Sequence, residues 1–457
     1  MAVKKGWTRR EALQGAAAAA AAGCVPSGAT DSVGTNAAPE PGKVEVLVFI
    51  MLENRSFDHW FGARKLLEDA PEDGLDDTLS NVNASGETVT PFPTEEPCLN
   101  DPPHGWSSSH DQWNQGACDG FCTEYAQSSG TDGSGIMGYQ TRETVPISWA
   151  LADAYTTCDR YFCAVMGPTW PNRLYAHGAS SQGMTNNSLP GEGELYTLQT
   201  IWKTAEANGI DWRYYYGDLP FMAILDGHYN TTNCGLIDQF FTDAKNGKLP
   251  PVVQIEPAFS YNDNHPPKHP ALGELFLAQV YEALAASPQW EKMLIIVTYD
   301  EHGGFYDHVS PPTTDDDYAA EGFDQRGFRV PCVLMGPWVK QGVDSTVYDH
   351  ASWLRTFCDL HGIEPWNKRI AAASGFKSAL DFDRMVQNNP RPPVPLPDFD
   401  PDLEAIDEIC DGGNDVISAD LMAWADRARA LGYPVRLARS EVAAPFRRRM
   451  RGRRLIG

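Results

Sequence analysis

The stretch MLIIVTYDE, Met293 to Glu301, decides the fold. Its first five residues are apolar without interruption, the composition of a strand covered on both faces, as strands of parallel sheets are. It stops on two carboxylates, Asp300 and Glu301, and runs on into TYDEHGGFYDH (298–308), where a Gly-Gly pair precedes Asp307 and His308. Five ionisable side chains in nine residues (Asp300, Glu301, His302, Asp307 and His308) cannot enter a core without partners.

Three other apolar runs repeat the pattern: KVEVLVFIML (43–52), which ends at Glu53, LPPVVQIEPAF (249–259) and VPCVLMGP (330–337). Helical spacing appears between them in GELFLAQVYEALAAS (273–287) and DHASWLRTFCDLHG (349–362), the latter opening on a capping residue, Asp349. Strands alternating with helices predict an α/β fold with a largely parallel central sheet sandwiched by helices. Ligands of such sheets gather at the carboxyl ends of strands, where Glu53 and Asp300 stand. Residues 63–140, rich in Gly, Ser, Asp and Pro, read as a loop-rich insertion or lid, and NNPRPPVPLPDFDPD (388–402) as an extended segment.

The 457-residue chain has a formal net charge of -25, which argues against a nucleic-acid binder because so acidic a body repels phosphate backbones. A phosphate-bearing substrate stays open, since one metal ion reverses the field inside a pocket. At the N-terminus, TRREALQGAAAAAAAGC (8–24) places paired arginines before an Ala-rich stretch and reads as a twin-arginine export signal. AAGC resembles a lipoprotein processing site with Cys24 as the lipidated residue, so the expected location is periplasmic, lipid-anchored or secreted. The expected organisation is a signal (1–24), a flexible tether (25–42), a catalytic domain (43–435) and a basic tail (436–457). That tail, with FRRRMRGRRLIG at its end, reads as a solvated segment or as a peripheral contact with anionic lipid headgroups. Ten cysteines suit an oxidising compartment, with Cys118–Cys122 and Cys158–Cys163 as local pairing candidates.

Chemistry concentrates in three stretches. In MLENRSFDHWFG (51–62), Glu53 and Asn54 offer adjacent oxygen ligands directly after a strand. Asp300 and Glu301 supply the facing pair, an all-oxygen set that suits one divalent cation: Ca²⁺, Mg²⁺, Mn²⁺ or Zn²⁺. In VMGPTWPNRLYAHGASS (165–181), prolines on either side of Thr169 and Trp170 fix the direction of the Thr169 hydroxyl. Beside a cation that hydroxyl becomes a nucleophile able to attack phosphorus. Read singly, each stretch also fits surface ion pairs and turn residues.

Together, ENRSFDHWFG (53–62), GPTWPNRLY (167–175), SPQWEKMLIIVTYDEHGGFYDHVSPP (287–312) and RVPCVLMGPWV (329–339) resemble the bacterial and plant phosphoesterase family that contains the non-specific phospholipases C and a group of acid phosphatases. The resemblance implies an alkaline-phosphatase-like α/β fold and a metal held by Glu53, Asn54, Asp300, Glu301 and Thr169. It further implies Thr169 as nucleophile, a phospho-threonine intermediate, and Asn172 as a ligand of phosphate oxygen. His104 in DPPHGW matches a family histidine, with His110 as its competitor. His265 in DNHPPKHP matches another, with His269 as a second, and either His265 or His104 protonates the leaving oxygen. His308 lies in the matched DH, with a structural role as the alternative. The implied substrate is a phospholipid or another phosphate ester, and Thr169 in its GPTxPNR context points to phospholipase C before acid phosphatase. A sulfatase is excluded because threonine cannot become formylglycine, and the rival from another class is a non-catalytic surface lipoprotein of the same fold.

Overall fold

The computed structural model describes residues 41–189, 191, 194–226, 232–410 and 419–454. The predicted signal with Cys24, and the tether as far as residue 40, lie outside the described residues.

The apolar runs form the middle of one eight-stranded sheet. In chain order its strands are β1 (Val46–Leu52), β2 (Thr156–Thr157), β3 (Trp212–Tyr216), β4 (Cys234–Leu236), β5 (Val252–Ile255), β6 (Met293–Tyr299), β7 (Cys332–Met335) and β8 (Gly342–Val343). They lie side by side as β8-β2-β7-β6-β1-β5-β3-β4. From β6 to β4 all neighbours are parallel, whereas β7 runs antiparallel to both β6 and β2. The predicted α/β class with a largely parallel sheet is therefore the fold observed. Every residue of β1 and of β6 is buried, which accounts for their unbroken apolar composition. Each such Leu, Ile or Phe side chain contributes about 1.5–3 kcal/mol.

Both faces of the sheet are covered. Phe49 stacks on Trp353 of the helix Ala351–His361 at 4.5 Å between ring centroids. The next residue, Ile50, pairs with Val297, which points to the other face and lines one cavity with Leu151 and Leu277. These come from the helices Pro146–Ala154 and Pro270–Ala285. The predicted helices 273–287 and 349–362 are thus present within a few residues of their expected ends. Asp349 accepts the Ala351 N–H at 2.8 Å, as a capping side chain does.

The insertion 63–140 holds short helices, among them Trp106–Trp113 and Phe121–Ser129, and two small strand pairs. Among the described residues, no helix is long and apolar enough to cross a membrane. Two expectations are corrected. Cys118, Cys122, Cys158 and Cys163 are free and buried, and the disulfide instead joins Cys98 to Cys410 across 312 residues. The basic tail is not a solvated segment: Arg439–Arg454 is a helix whose Val442, Ala443 and Phe446 are buried. The Phe446 carbonyl accepts from the Gln279 amide, and Arg448 pairs with Asp238.

Candidate active site

Parallel register assembles the acidic centre. Leu52 pairs with Tyr299, so the residues that follow, Glu53 and Asp300, emerge side by side from β1 and β6. Ile50 pairs with Ile255, which places Glu256 at the end of the adjoining β5. Three neighbouring strands thus each finish on a carboxylate at one edge of the sheet, the edge where α/β folds bind ligands. Asn54 has a left-handed backbone (φ 58°), and its N–H donates to Asp300 Oδ1 at 3.2 Å. Gly303 is also left-handed, and a Cβ there would lie 2.3 Å from the Asn54 carbonyl oxygen. Gly303 therefore lets the β6 loop press against the β1 loop, a closeness that alanine forbids, and Gly304, also left-handed, lets it approach Pro102 and Pro103.

Arg173 sits in the middle of the three carboxylates. It is fully buried, and its Nε donates to Asp300 Oδ2 at 2.9 Å and its Nη1 to Glu256 Oε2 at 2.5 Å. Its Nη2 lies 3.2 Å from Glu53 Oε1, off the line of a hydrogen bond. Burial opposes the guanidinium charge, but Glu256, Asp300 and Glu53 outweigh it and raise the pKa. Thr169 opens the same helix, Thr169–Gly178, four residues before Arg173 and so on the same face. Anchoring Arg173 to Glu53 and Asp300 fixes the helix that carries Thr169.

The predicted residues divide accordingly. Glu53, Asn54, Asp300 and Glu301 come together. His104 joins them from the insertion, with Nε2 at 3.3 Å from Asn54 Nδ2 and 3.6 Å from Glu301 Oε1. His265 stands beside it, the two rings 5.8 Å apart, and one ligand atom each from Asp101, His104 and His265 lies within 4.8 Å of the others. The His104 Nδ1–H donates to the Pro102 carbonyl and the His265 Nδ1–H to the Pro266 carbonyl, which leaves both Nε2 atoms for the site.

Asn172 departs from its expected role. Its Oδ1 accepts the Val165 N–H, and its Nδ2 donates to the carbonyls of Val165, Gly167 and Pro168. The amide is spent on the turn that carries Thr169. His269 accepts the Ala271 N–H as a helix cap and the His110 Nδ1–H donates to the Trp106 carbonyl, and neither stands with Asp101, His104 and His265 in their group of ligand atoms. His308 belongs to a separate network: its Nδ1–H donates to Asp58 at 2.6 Å, while Arg329 binds Asp58 and Asp307. Asp58, Asp307 and His308 can be drawn round a cation on distance alone, but each carboxylate oxygen of Asp58 and Asp307 already accepts a hydrogen bond.

Arg173, Glu256 and Asp101 were missed by sequence reasoning. A signal existed for two of them. Glu256 ends an apolar run just as Glu53 does, and Arg173 lies one helical turn beyond Thr169.

The centre fits a hard divalent cation. Glu53 Oε1, Asn54 Oδ1 and Glu301 Oε1 are buried oxygens that make no hydrogen bond; such atoms are costly unless a ligand satisfies them. Burial and neighbouring carboxylates raise the pKa of Glu53 well above its ordinary value and that of Asp300 to about 7. Burial raises Glu301 as well, although His104 opposes it. A carboxyl raised in the folded state favours the folded chain most at low pH, and that advantage fades as pH rises through the folded value. Cations must displace these protons. We expect Mn²⁺ or Ca²⁺ to raise the melting temperature more at about pH 8 than at about pH 5.5. Binding near pH 6 is expected to release protons, measurable by calorimetry in two buffers of different ionisation enthalpy; equal stabilisation at both pH values counts against this ligand set.

Several known proteins are similar to this chain. Non-specific phospholipase C6 of Arabidopsis thaliana is 31% identical over 351 residues, 68% of this chain and 66% of that protein. Phospholipase C B of Mycobacterium tuberculosis is 31% identical over 454 residues, 82% of this chain and 86% of that one. Among solved structures, the lipoteichoic acid synthase LtaP of Listeria monocytogenes covers 86% of this chain and 93% of its own at 12% identity and a TM-score of 0.36. The model of the phosphoesterase family matches residues 44–364, a span that takes in every residue of the acidic centre together with Thr169, His104 and His265. The chain belongs to the phosphoesterase family, a family of phosphoric ester hydrolases.

Proposed function

We propose that the protein is a metal-dependent phospholipase C that cleaves glycerophospholipids to diacylglycerol and a phosphorylated headgroup through a threonyl phosphodiester on Thr169. The observation that carries this reading is the pairing of Thr169 and Arg173 on one helical face, with Arg173 bound to Asp300 and beside Glu53 at the strand ends. A divalent ion held by Glu53, Asn54, Asp300 and Glu301 would neutralise charge on phosphate oxygens and favour the ionised Thr169 hydroxyl.

Thr169 Oγ1 bonds to phosphorus as the bond from phosphorus to the glycerol oxygen breaks. The departing oxygen takes a proton from His104. Burial works against the charged ring, yet Glu301 and Asp101 overcome it and raise its pKa. His265 is pushed the other way, by burial, Lys268 and His104, and stays neutral. Two neighbouring imidazoles with pKa values driven apart suit an acid and an acceptor. Water then attacks the phosphodiester and restores the hydroxyl.

Export by the twin-arginine route, to a periplasmic, lipid-anchored or secreted location, is part of the same proposal. The Cys98–Cys410 disulfide supports it, since such bonds persist in oxidising compartments.

The test gives protein lacking residues 1–24 phosphatidylcholine and p-nitrophenyl phosphate separately. Diacylglycerol release is expected to dominate. Nitrophenol release without diacylglycerol would move the assignment to a phosphomonoesterase of the acid phosphatase kind.

A further inference from the structure

The segment that delivers His104 is held in an unusual way. Between Thr94, whose N–H bonds the Tyr139 carbonyl, and Gly105, whose carbonyl accepts the Ser109 N–H, residues 95–104 form no helix or strand and hold a single turn, at residues 97 and 98. A stretch without ladder or helix bonds depends on side chains to keep its shape. At the His104 end these are the Gln112 amide on the Pro103 carbonyl at 2.7 Å and the Ser109 hydroxyl on the His104 carbonyl at 3.3 Å. At the other end Leu99 is buried, and beside it Cys98 is bonded to Cys410 with 5.3 Å between Cα atoms. Cys410 closes the helix Leu403–Cys410, which is seated on the body through the buried Ile406. That helix lies beyond the residues matched by the family model, which end at 364.

We propose that the Cys98–Cys410 disulfide is a positioning element of the active site. It stakes the free end of the 95–104 segment so that Asp101 and His104 meet Glu301, Asn54 and His265, and its reduction lowers turnover by loosening His104. Five residues lie between Cys98 and His104, and no helix or strand intervenes to absorb the slack. Displacing a reacting group by about 1 Å can cost on the order of 10²-fold in rate. This inference rests on the role of His104 in the proposed reaction. The tether itself is independent of that role.

A phosphine reductant such as TCEP tests it. The phosphine attacks one sulfur, the S–S bond breaks, and water delivers oxygen to phosphorus, which leaves two thiols and a phosphine oxide. The full chain lacking only residues 1–24 is assayed with and without reductant on phosphatidylcholine vesicles and on p-nitrophenylphosphocholine. The latter's leaving group departs without protonation. The Cys98→Ser/Cys410→Ser and His104→Ala variants are run alongside.

Reduction is expected to lower kcat on phosphatidylcholine about 10–100-fold and to spare p-nitrophenylphosphocholine within about twofold. The double variant should match the reduced protein and lose its response to TCEP. The decisive comparison is with His104→Ala: reduction should reproduce, in weaker form, whatever substrate pattern that variant shows. If His104→Ala lowers both substrates equally, its role as acid is refuted and the tether is judged by whether reduction follows that pattern. Unchanged kcat on reduction would overturn the proposal. So would a loss that departs from the His104→Ala pattern and tracks a fall in melting temperature.

Discussion

Replacing Thr169 by alanine is expected to lower diacylglycerol release by at least about 10³-fold while the folded protein survives, because the nucleophile is gone and only the electrostatic part of the site remains. The second half of that expectation matters as much as the first. The Thr169 hydroxyl makes no hydrogen bond among the described residues, and the residue begins the helix Thr169–Gly178 without capping it through its side chain. Helix placement depends on Arg173, on Asn172 and on the Asn187 side chain that accepts the Trp170 N–H at 2.8 Å. None of these contacts changes in the alanine variant, so its denaturation midpoint should stay close to that of the parent. Thr169→Ser, which keeps an oxygen at the same place, should retain activity within about tenfold. Acid quenching during turnover should leave a phosphorylated peptide that contains Thr169. Substantial diacylglycerol release by Thr169→Ala would sink the covalent mechanism, and loss accompanied by unfolding would show that Thr169 supports the helix instead.

How much of this site is legible in the sequence follows from what each residue responds to. The central strands are legible because burial on both faces leaves only apolar residues, as in β1 and β6, and the carboxylate after such a run is conspicuous. β3, with its WRYYY sequence, was not read as a strand; its aromatics pack against Trp202, Phe240 and one another, a tertiary fact that no short window shows. Asn172 illustrates the opposite failure. Its place three residues after Thr169 marked it as important, but spacing cannot say whether an amide faces substrate or the preceding turn. The basic tail was read by its charge, although Val442, Ala443 and Phe446 recur at helical spacing and turn inward. The disulfide was beyond reach, since a bond across 312 residues leaves no local trace.

Arg173 was within reach and carries the second large effect. Arg173→Met should destabilise the metal-free protein by about 3–5 kcal/mol, read as a lower urea midpoint, because it removes the guanidinium that lies among three buried carboxylates. Methionine replaces much of the side-chain volume, so the loss reports charge more than a cavity. Glu256 decides the outcome. A cation in the proposed centre can stand in for Arg173 at Glu53 and Asp300, but Glu256 is held on the far side by Arg173 and the Gln254 amide. Divalent metal should therefore recover only part of the lost stability. Combining Arg173→Met with Glu256→Gln should recover more, since the stranded carboxylate becomes a neutral amide. Arg173→Lys should rescue little, because an ammonium cannot reach three carboxylates in the plane of a guanidinium fork. Equal destabilisation in the single and double variants would show that Glu256 is not the stranded charge. If Arg173→Met were instead as stable as the parent and fully active, the carboxylates would not need Arg173, and Thr169 would have to be directed by the Asn172 turn alone.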